Sequence, residues 1–304
     1  MTNRRHVYES DTTAQTPEES YVFRDGLHKV SEIDHRDIPA GFYRFEMNDQ
    51  YNLQLVNVSM PDQDRYIEAG SSRLDIQEDM NRFFRNEDLY DEMDLAHRRG
   101  ALLYGPPGTG KTYSIVRAAR KAMEELNLLV FLLHQDVSFD QLSKLRPYFQ
   151  ERRTVFLFEE VSRSAMKGGN RAPADLLSFL DGELSWDHNY NIATTNYPGD
   201  LPGNLVDRPG RFDVLIEMDR PGASERKRFL DAYLGEGEYP SGVVDRLKGF
   251  SLSYIKEMVL RSRLYDRSLV EIIDQFDHQK EQIKAAFDTA SRDLGFGPSG
   301  NGHL

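Results

Sequence analysis

The stretch ALLYGPPGTGKTYS, from Ala101 to Ser114, limits what this chain can fold into more tightly than any other part of it. A short apolar run breaks into a loop of Gly105, Pro106, Pro107, Gly108, Thr109 and Gly110. Lys111, Thr112 and Tyr113 then open a segment with Ile115, Ala119, Met123 and Leu126 at helical spacing. Glycine tolerates the backbone angles that turn consecutive N–H groups inward, and such a nest binds anions. The positive end of the following helix dipole points at the same place. The order strand, GxxxxGK[ST] loop, helix therefore predicts a cradle for the phosphates of a nucleoside triphosphate, made by residues 105–113. In that cradle Lys111 supplies a point charge to the β- and γ-phosphates, and the Thr112 hydroxyl is placed to ligate Mg2+.

The remaining chain is long enough to surround such a site. With 304 residues, 39% of them hydrophobic, it has material for a full core and about two domains. It has no cysteine, which excludes disulfides and thiolate metal centres. The longest apolar run, LNLLVFLL at Leu126 to Leu133, is too short to span a bilayer, and the first twenty residues are polar. No membrane partner and a cytoplasmic location are the expectations. A net charge of −12 disfavours a nucleic-acid surface, although a basic pore can sit within an acidic average.

Periodicity divides the chain. Residues 1–20 lack it and are expected to be disordered. Residues 21–62 form a β extension: Tyr43, Phe45 and Met47 alternate on one face and Tyr51, Leu53 and Leu55 answer across an Asn48-Asp49 turn. Helical spacing runs from Arg65 to Asp94. After the loop come apolar strands in LLVFLL, TVFLFEE, NYNIATTN and VLIEM, separated by helical or loop segments. Strands that alternate with helices imply a parallel sheet covered on both faces. The fold class is thus α/β: a P-loop NTPase core with a parallel five-stranded sheet over residues 63–220. A small all-helical lid follows at 221–294, and a disordered tail at 295–304. The C-terminal stripe of Leu269, Ile272, Ile273, Phe276, Ile283 and Phe287 reads as helix packing, with a substrate face as the rival.

Three further motifs carry chemistry. TVFLFEE ends a buried strand in Glu159 and Glu160, at the carboxyl edge where open α/β sheets bind ligands. Glu159 is placed to hold Mg2+ through water, and Glu160 to orient or deprotonate an attacking water; two solvated acids closing a strand is the alternative. NIATTN ends another strand in Asn196, which either senses the γ-phosphate and the water or terminates a turn. DRPGRFD carries Arg208 and Arg211 on either side of a Pro-Gly turn. They project towards a γ-phosphate, or they pair locally with Asp207 and Asp213. A glycine-rich loop from Ser162 to Pro173 adds Arg163, Lys167 and Arg171: a mobile solvated loop, or a set of cations for an acidic partner or phosphate backbone, with Arg171 alternatively between subunits.

The ordered set GPPGTGKT, VFLFEE, LLSFLDG, ATTN and RPGRFD resembles the AAA branch of the AAA+ ATPases over residues 65–266. Within it, FFRNEDLYDEMDLAHRRGALLYGPPGTGKT and LLHQDVSFDQLSKLRPYFQERRTVFLFEE are most similar to the Bcs-type AAA proteins. The resemblance implies an ATPase with ATP and Mg2+, the sheet order five-one-four-three-two, and a six- or sevenfold ring in which Arg208 and Arg211 act on a neighbour's nucleotide. It also implies remodelling or translocation of a protein client. The departures are a Glu at position 159, where the family usually has Asp, a run into the arginines one residue longer, and the missing transmembrane helix of the mitochondrial members. HQDVSFDQ replaces the aromatic-apolar-Gly loop of threading unfoldases, with Phe139 its only aromatic. A nucleic-acid motor or loader and a slowly hydrolysing scaffold stand as alternatives.

Overall fold

The computed structural model describes residues 20–23, 38–47, 53–60, 72–133, 139–149, 151–161, 173–183, 186–201, 203–208 and 210–293. The expected disordered ends, the Asn48-Asp49 turn with Tyr51, the helical reading before Ser72 and the loop bearing Arg163, Lys167 and Arg171 lie outside them.

The strands are β1 (Ser20–Phe23), β2 (Gly41–Met47), β3 (Leu53–Asn57), β4 (Arg98–Tyr104), β5 (Leu129–Leu133), β6 (Thr154–Phe158), β7 (Asn189–Thr195) and β8 (Val214–Glu217). They form one sheet in the order β1-β3-β2-β5-β6-β7-β4-β8. Every residue of β6 and β7 is buried, as parallel strands covered on both faces must be. Counting from the strand before the phosphate loop, the five parallel strands run five-one-four-three-two, the expected order. The β extension is not a separate unit, however. β2 pairs in parallel with β5, Gly41 opposite Leu129 and Tyr43 opposite Phe131, so β1, β3 and β2 prolong the core sheet. The hairpin has the foreseen facing, Phe45 opposite Leu55 and Met47 opposite Leu53. Phe45 reaches the core cluster through Phe131, with ring centroids 5.0 Å apart.

Helices α1 (Ser72–Arg85) and α3 (Lys111–Leu126) cover one face. Ile76, Met80, Phe83 and Phe84 of α1 and Ile115, Ala119 and Ala122 of α3 share one cluster with Leu103, Val130 and Ile192. Alanines on the inner face of α3 let the helix axis lie close to the sheet, and Asn127 in the left-handed region (φ 55°) ends it. Between α1 and β4 lies the short α2 (Glu87–Glu92). Arg99 of β4 donates two 2.8 Å hydrogen bonds to Asp79 of α1, and the Tyr190 hydroxyl of β7 donates a third at 2.5 Å. The opposite face is aromatic: Phe131, Phe149, Phe156, Phe179 and Trp186 pack together. The Trp186 indole N–H donates to the Thr154 hydroxyl at 3.1 Å. Phe139 belongs here as well. It opens the helix Phe139–Ser143 and sits 4.9 Å from the Phe179 ring, so it is a core residue and not a gripping side chain.

Beyond Pro221 the chain is helical: Ala223–Leu234, Val243–Arg246, Leu252–Leu264 and Leu269–Asp293 enclose their own core around Leu230, Leu247, Ile255, Met258 and Ile273. The stripe residues Leu269, Ile272, Ile273 and Phe276 are buried in it, the packing reading; the side chains of Ile283 and Phe287 lie outside the described set.

Gly100, inside β4, touches the turn before β8 so closely that a Cβ there would stand 1.7 Å from the Arg211 carbonyl oxygen. The backbones are also joined, the Asp213 N–H donating to Gly100 O at 2.9 Å. Gly100→Ala must therefore push β4 and the Arg211 turn apart. It is expected to cost about 3 kcal/mol or more, seen as a lowered urea midpoint at unchanged slope.

Candidate active site

The parallel register brings the site together. Tyr104, the last residue of β4, pairs with Thr195, the last of β7, so the phosphate loop leaves the sheet beside Asn196. Phe158 of β6 pairs with Ala193, which carries Glu160 to the level of Thr195. Gly105 turns away from β4 with φ 142°, and a Cβ on it would meet the Met218 carbonyl oxygen at 2.2 Å. Gly110 caps α3 in the left-handed region at φ 92°, and Lys111 is the first helical residue.

Lys111 is buried, and its ammonium donates to Gly105 O at 2.8 Å, Pro106 O at 2.9 Å and Asn196 Oδ1 at 2.7 Å. Burial lowers its pKa from the ordinary lysine value, and the negative charge of Glu160 acts against that fall. The Asn196 amide continues the chain of bonds, its Nδ2 donating to Glu160 Oε2 at 2.5 Å and its backbone N–H to the same oxygen at 3.0 Å. The Thr195 hydroxyl donates to Glu160 Oε1 at 3.0 Å. One cation, one amide and one carboxylate are thereby joined at the carboxyl edge of the sheet.

Glu160 is held in the left-handed region, φ 50°, where a side chain is disfavoured by about 1 kcal/mol. Its N–H donates to the Thr194 hydroxyl at 3.2 Å, and the next N–H, of Val161, donates to Thr194 O at 2.9 Å. These bonds to β7 fix the bend that turns the Glu160 carboxylate towards Asn196. Glu159 stays at the strand end, exposed, and Thr112 and Tyr113 are half-buried in the first turn of α3. Thr109 is buried, its hydroxyl donating to Pro106 O at 3.0 Å.

Arg208 and Arg211 part company. Arg211 is buried and grips Asp181 with two bonds, Nε to Oδ1 at 2.8 Å and Nη2 to Oδ2 at 2.7 Å, while Nη1 donates to Asn204 O. Those bonds hold the Asp181 carboxyl below its usual pKa. Arg208 reaches the same carboxylate with a single 3.1 Å contact, and 63% of its side chain is exposed against 5% for Arg211. The longer run into the arginines leaves open whether one or both reach a nucleotide; of the two, Arg208 is the one that projects. The partner is also not the expected local one: Asp213 accepts from the Gly100 and Gly210 N–H groups.

Sequence reasoning missed four participants. The hydroxyls of Thr194 and Thr195 position Glu160, and the paired threonines before Asn196 were the available signal. Asp181, in the turn after the helix Pro173–Leu180, is the last residue but one of the LLSFLDG run. Ser253, at the start of the lid helix Leu252–Leu264, donates from its N–H to Gly108 O at 3.2 Å and so ties lid to phosphate loop. Nothing local to the serine announces that contact.

Residues 101–220 match the family model described as ATPase family associated with various cellular activities (AAA). The chain is 36% identical over 170 residues to a protein of Schizosaccharomyces pombe named probable mitochondrial chaperone bcs1, covering 53% of this chain and 37% of the relative. It is 29% identical over 231 residues to probable mitochondrial chaperone BCS1-B of Dictyostelium discoideum, covering 62% and 48%. With the ATPase family gene 2 protein of Schizosaccharomyces pombe the identity is 33% over 159 residues, covering 47% and 19%. The chain thus spans less than half the length of each of these curated relatives. Two of them are mitochondrial by name, and that finding overturns the cytoplasmic expectation. Among the described residues no helix is long and apolar enough to cross a membrane. The phosphate loop, the carboxylate and asparagine strand ends and the family match agree: residues 101–220 form a nucleotide-binding ATPase domain of the AAA type, similar to that of the chaperones named bcs1.

Proposed function

We propose that this chain hydrolyses ATP within a homo-oligomeric ring of six or seven copies and uses the cycle to remodel or translocate a protein client. The observation that carries the chemistry is the bonded series Lys111, Asn196, Glu160 at the edge where the phosphate loop ends. A γ-phosphate oxygen arriving at Lys111 takes over the proton now given to Asn196, leaving the two backbone acceptors in place. Asn196 is then free to bond the γ-phosphate and the attacking water. Glu160 accepts a proton from that water as its oxygen bonds to the γ-phosphorus, and the bond from that phosphorus to the β-phosphate's bridging oxygen breaks, releasing ADP and phosphate. Thr112 and Glu159, an all-oxygen pair that suits a hard cation, would hold Mg2+, which neutralises charge on the β- and γ-phosphates.

Arg208 is the finger in this reading, detaching from Asp181 to reach the nucleotide of an adjacent copy, and Arg211 is the anchor that holds the turn. The contact of Ser253 with Gly108 gives the nucleotide state a route into the lid, whose rotation moves the client. A protein client is supported by the relatives named as chaperones.

Lys111→Ala should abolish ATP binding measured by fluorescent-nucleotide titration. Glu160→Gln should bind ATP with unchanged affinity and lose at least about 100-fold in turnover; normal turnover by that variant rejects Glu160 as the base. The Glu160→Gln form should also retain a protein client in the ATP-bound state. Salt-sensitive stimulation of the wild-type ATPase by DNA or RNA, without stimulation by protein, would favour a nucleic-acid motor instead.

The two arginines are separable. Arg208→Ala should leave the thermal midpoint nearly unchanged and lower turnover by roughly 10³-fold, with activity restored in mixed rings by a Glu160→Gln copy that still carries Arg208. Arg211→Ala should instead lower the midpoint, because it strips a carboxylate of its paired donors. Equal effects of both variants on the midpoint would reject the division of roles.

A further inference from the structure

At the end of the sheet opposite the phosphate loop, β4 and β7 begin side by side with Arg98 paired to Asn189. The residues one step earlier, His97 and His188, therefore face each other, and Glu87, the first residue of α2, reaches the same place. His97 Nδ1 is 3.0 Å from His188 Nδ1, which is 3.0 Å from Glu87 Oε1, and all three ligand atoms lie within 4.8 Å of one another.

The protons decide what these atoms can do. His97 is buried, its ring stacks on Phe83 with centroids 4.1 Å apart, and its Nε2–H donates to the Phe83 carbonyl oxygen at 3.0 Å. That bond uses the single proton of a neutral imidazole and leaves the Nδ1 lone pair directed at His188. A backbone carbonyl that fixes tautomer and ring orientation in this way is the usual support of a metal-binding histidine. His188 and Glu87 are partly open to solvent, at 26% and 36% side-chain exposure, so an ion can enter and keep a water.

We infer that Glu87, His97 and His188 form a binding site for a zinc-type divalent ion, with two Nδ1 atoms and one carboxylate oxygen as protein ligands and water in the fourth position. Two imidazole nitrogens on a tetrahedral zinc stand ~3.3 Å apart, so the observed pair needs to spread only slightly. The mixed nitrogen and oxygen donor set selects zinc over magnesium or calcium. In the bound form His188 gives its Nδ1 lone pair to the ion and carries its proton on Nε2. Arg153 lies 3.8 Å from Glu87 Oε2, the other carboxylate oxygen, so it helps turn Oε1 to the histidines while its charge weakens the affinity. The ion clamps α2 to the starts of the two strands whose far ends carry the phosphate loop and Asn196, and it stabilises the folded chain by mass action.

The test uses the full chain, stripped with a chelator and titrated with zinc by calorimetry and with cobalt(II) by visible absorption. One equivalent of each ion is expected, with cobalt bands of tetrahedral strength and a raised thermal midpoint. His188 has φ 58°, a backbone that asparagine tolerates, so His188→Asn removes the ligand without straining the turn. It should weaken zinc binding by about 100-fold or more and Glu87→Gln by about 10-fold or more, while both variants keep the metal-free midpoint and ATP binding of the wild type. Absence of stoichiometric zinc binding by the wild type overturns the site, and so does wild-type affinity in both variants, which would place the ion elsewhere. Neither readout depends on ATP turnover, so this site can fail while the ATPase reading stands.

Discussion

The parallel pairing of β4 with β7 is the constraint on which the rest of the molecule depends. It is a seven-residue ladder, Arg98 to Tyr104 against Asn189 to Thr195, and both strands are central. Its carboxyl end sets Lys111 against Asn196; its amino end sets His97 against His188. A slip of one residue would turn every side chain of one strand to the other face, and the buried residues of the two faces are too different to allow it. Leu103 and Ile192 lie among the helices α1 and α3, whereas Leu102 and Ala193 belong to the aromatic layer around Trp186. Register is thus set by core packing, and the polar groups at both ends inherit it.

Those polar groups are arranged at a cost that the surrounding bonds offset. A buried lysine and a glutamate in the left-handed region each oppose folding. Against this, the Lys111 ammonium has three acceptors and the Glu160 carboxylate has donors from Thr195 and from both nitrogens of Asn196. The site is therefore held by mutual satisfaction: removing the Asn196 side chain would take one of three acceptors from the cation and a donor from the carboxylate. A phosphate can enter such a network by exchange of one acceptor for another, with little rearrangement of the backbone.

Much of this could be read from the residues, and the division follows a physical line. Motifs whose parts are close in sequence, such as Gly105 to Thr112, or whose place follows from strand polarity, such as Glu160 and Asn196 at carboxyl ends, were legible. The strand order was legible through family resemblance. What escaped depends on contacts between distant segments. The β extension looked like a hairpin of its own because alternation along Tyr43, Phe45 and Met47 says which face is apolar but not that the edge of β2 joins β5. Phe139 looked like a loop aromatic because nothing local shows the pocket beside Phe158 and Phe179. His97 and His188 are 91 residues apart, and only the ladder makes them neighbours.

The two arginines show how burial separates residues that a motif treats alike. Both converge on Asp181, which leaves that carboxylate with more positive charge than it needs. An exposed pair such as Arg208 with Asp181 contributes about 1 kcal/mol or less, because solvent screens it and a long side chain must be held still. Withdrawing Arg211 would leave a carboxylate without its bidentate partner and a guanidinium in a buried pocket, a loss on the order of 3–5 kcal/mol for a fully buried pair and less at the partly open Asp181. Only the first can be exchanged for a nucleotide phosphate on another copy at a cost that binding recovers. Arg211 in turn holds the Asp213 turn against Gly100, so the same bonds that immobilise one arginine fix the platform from which the other projects.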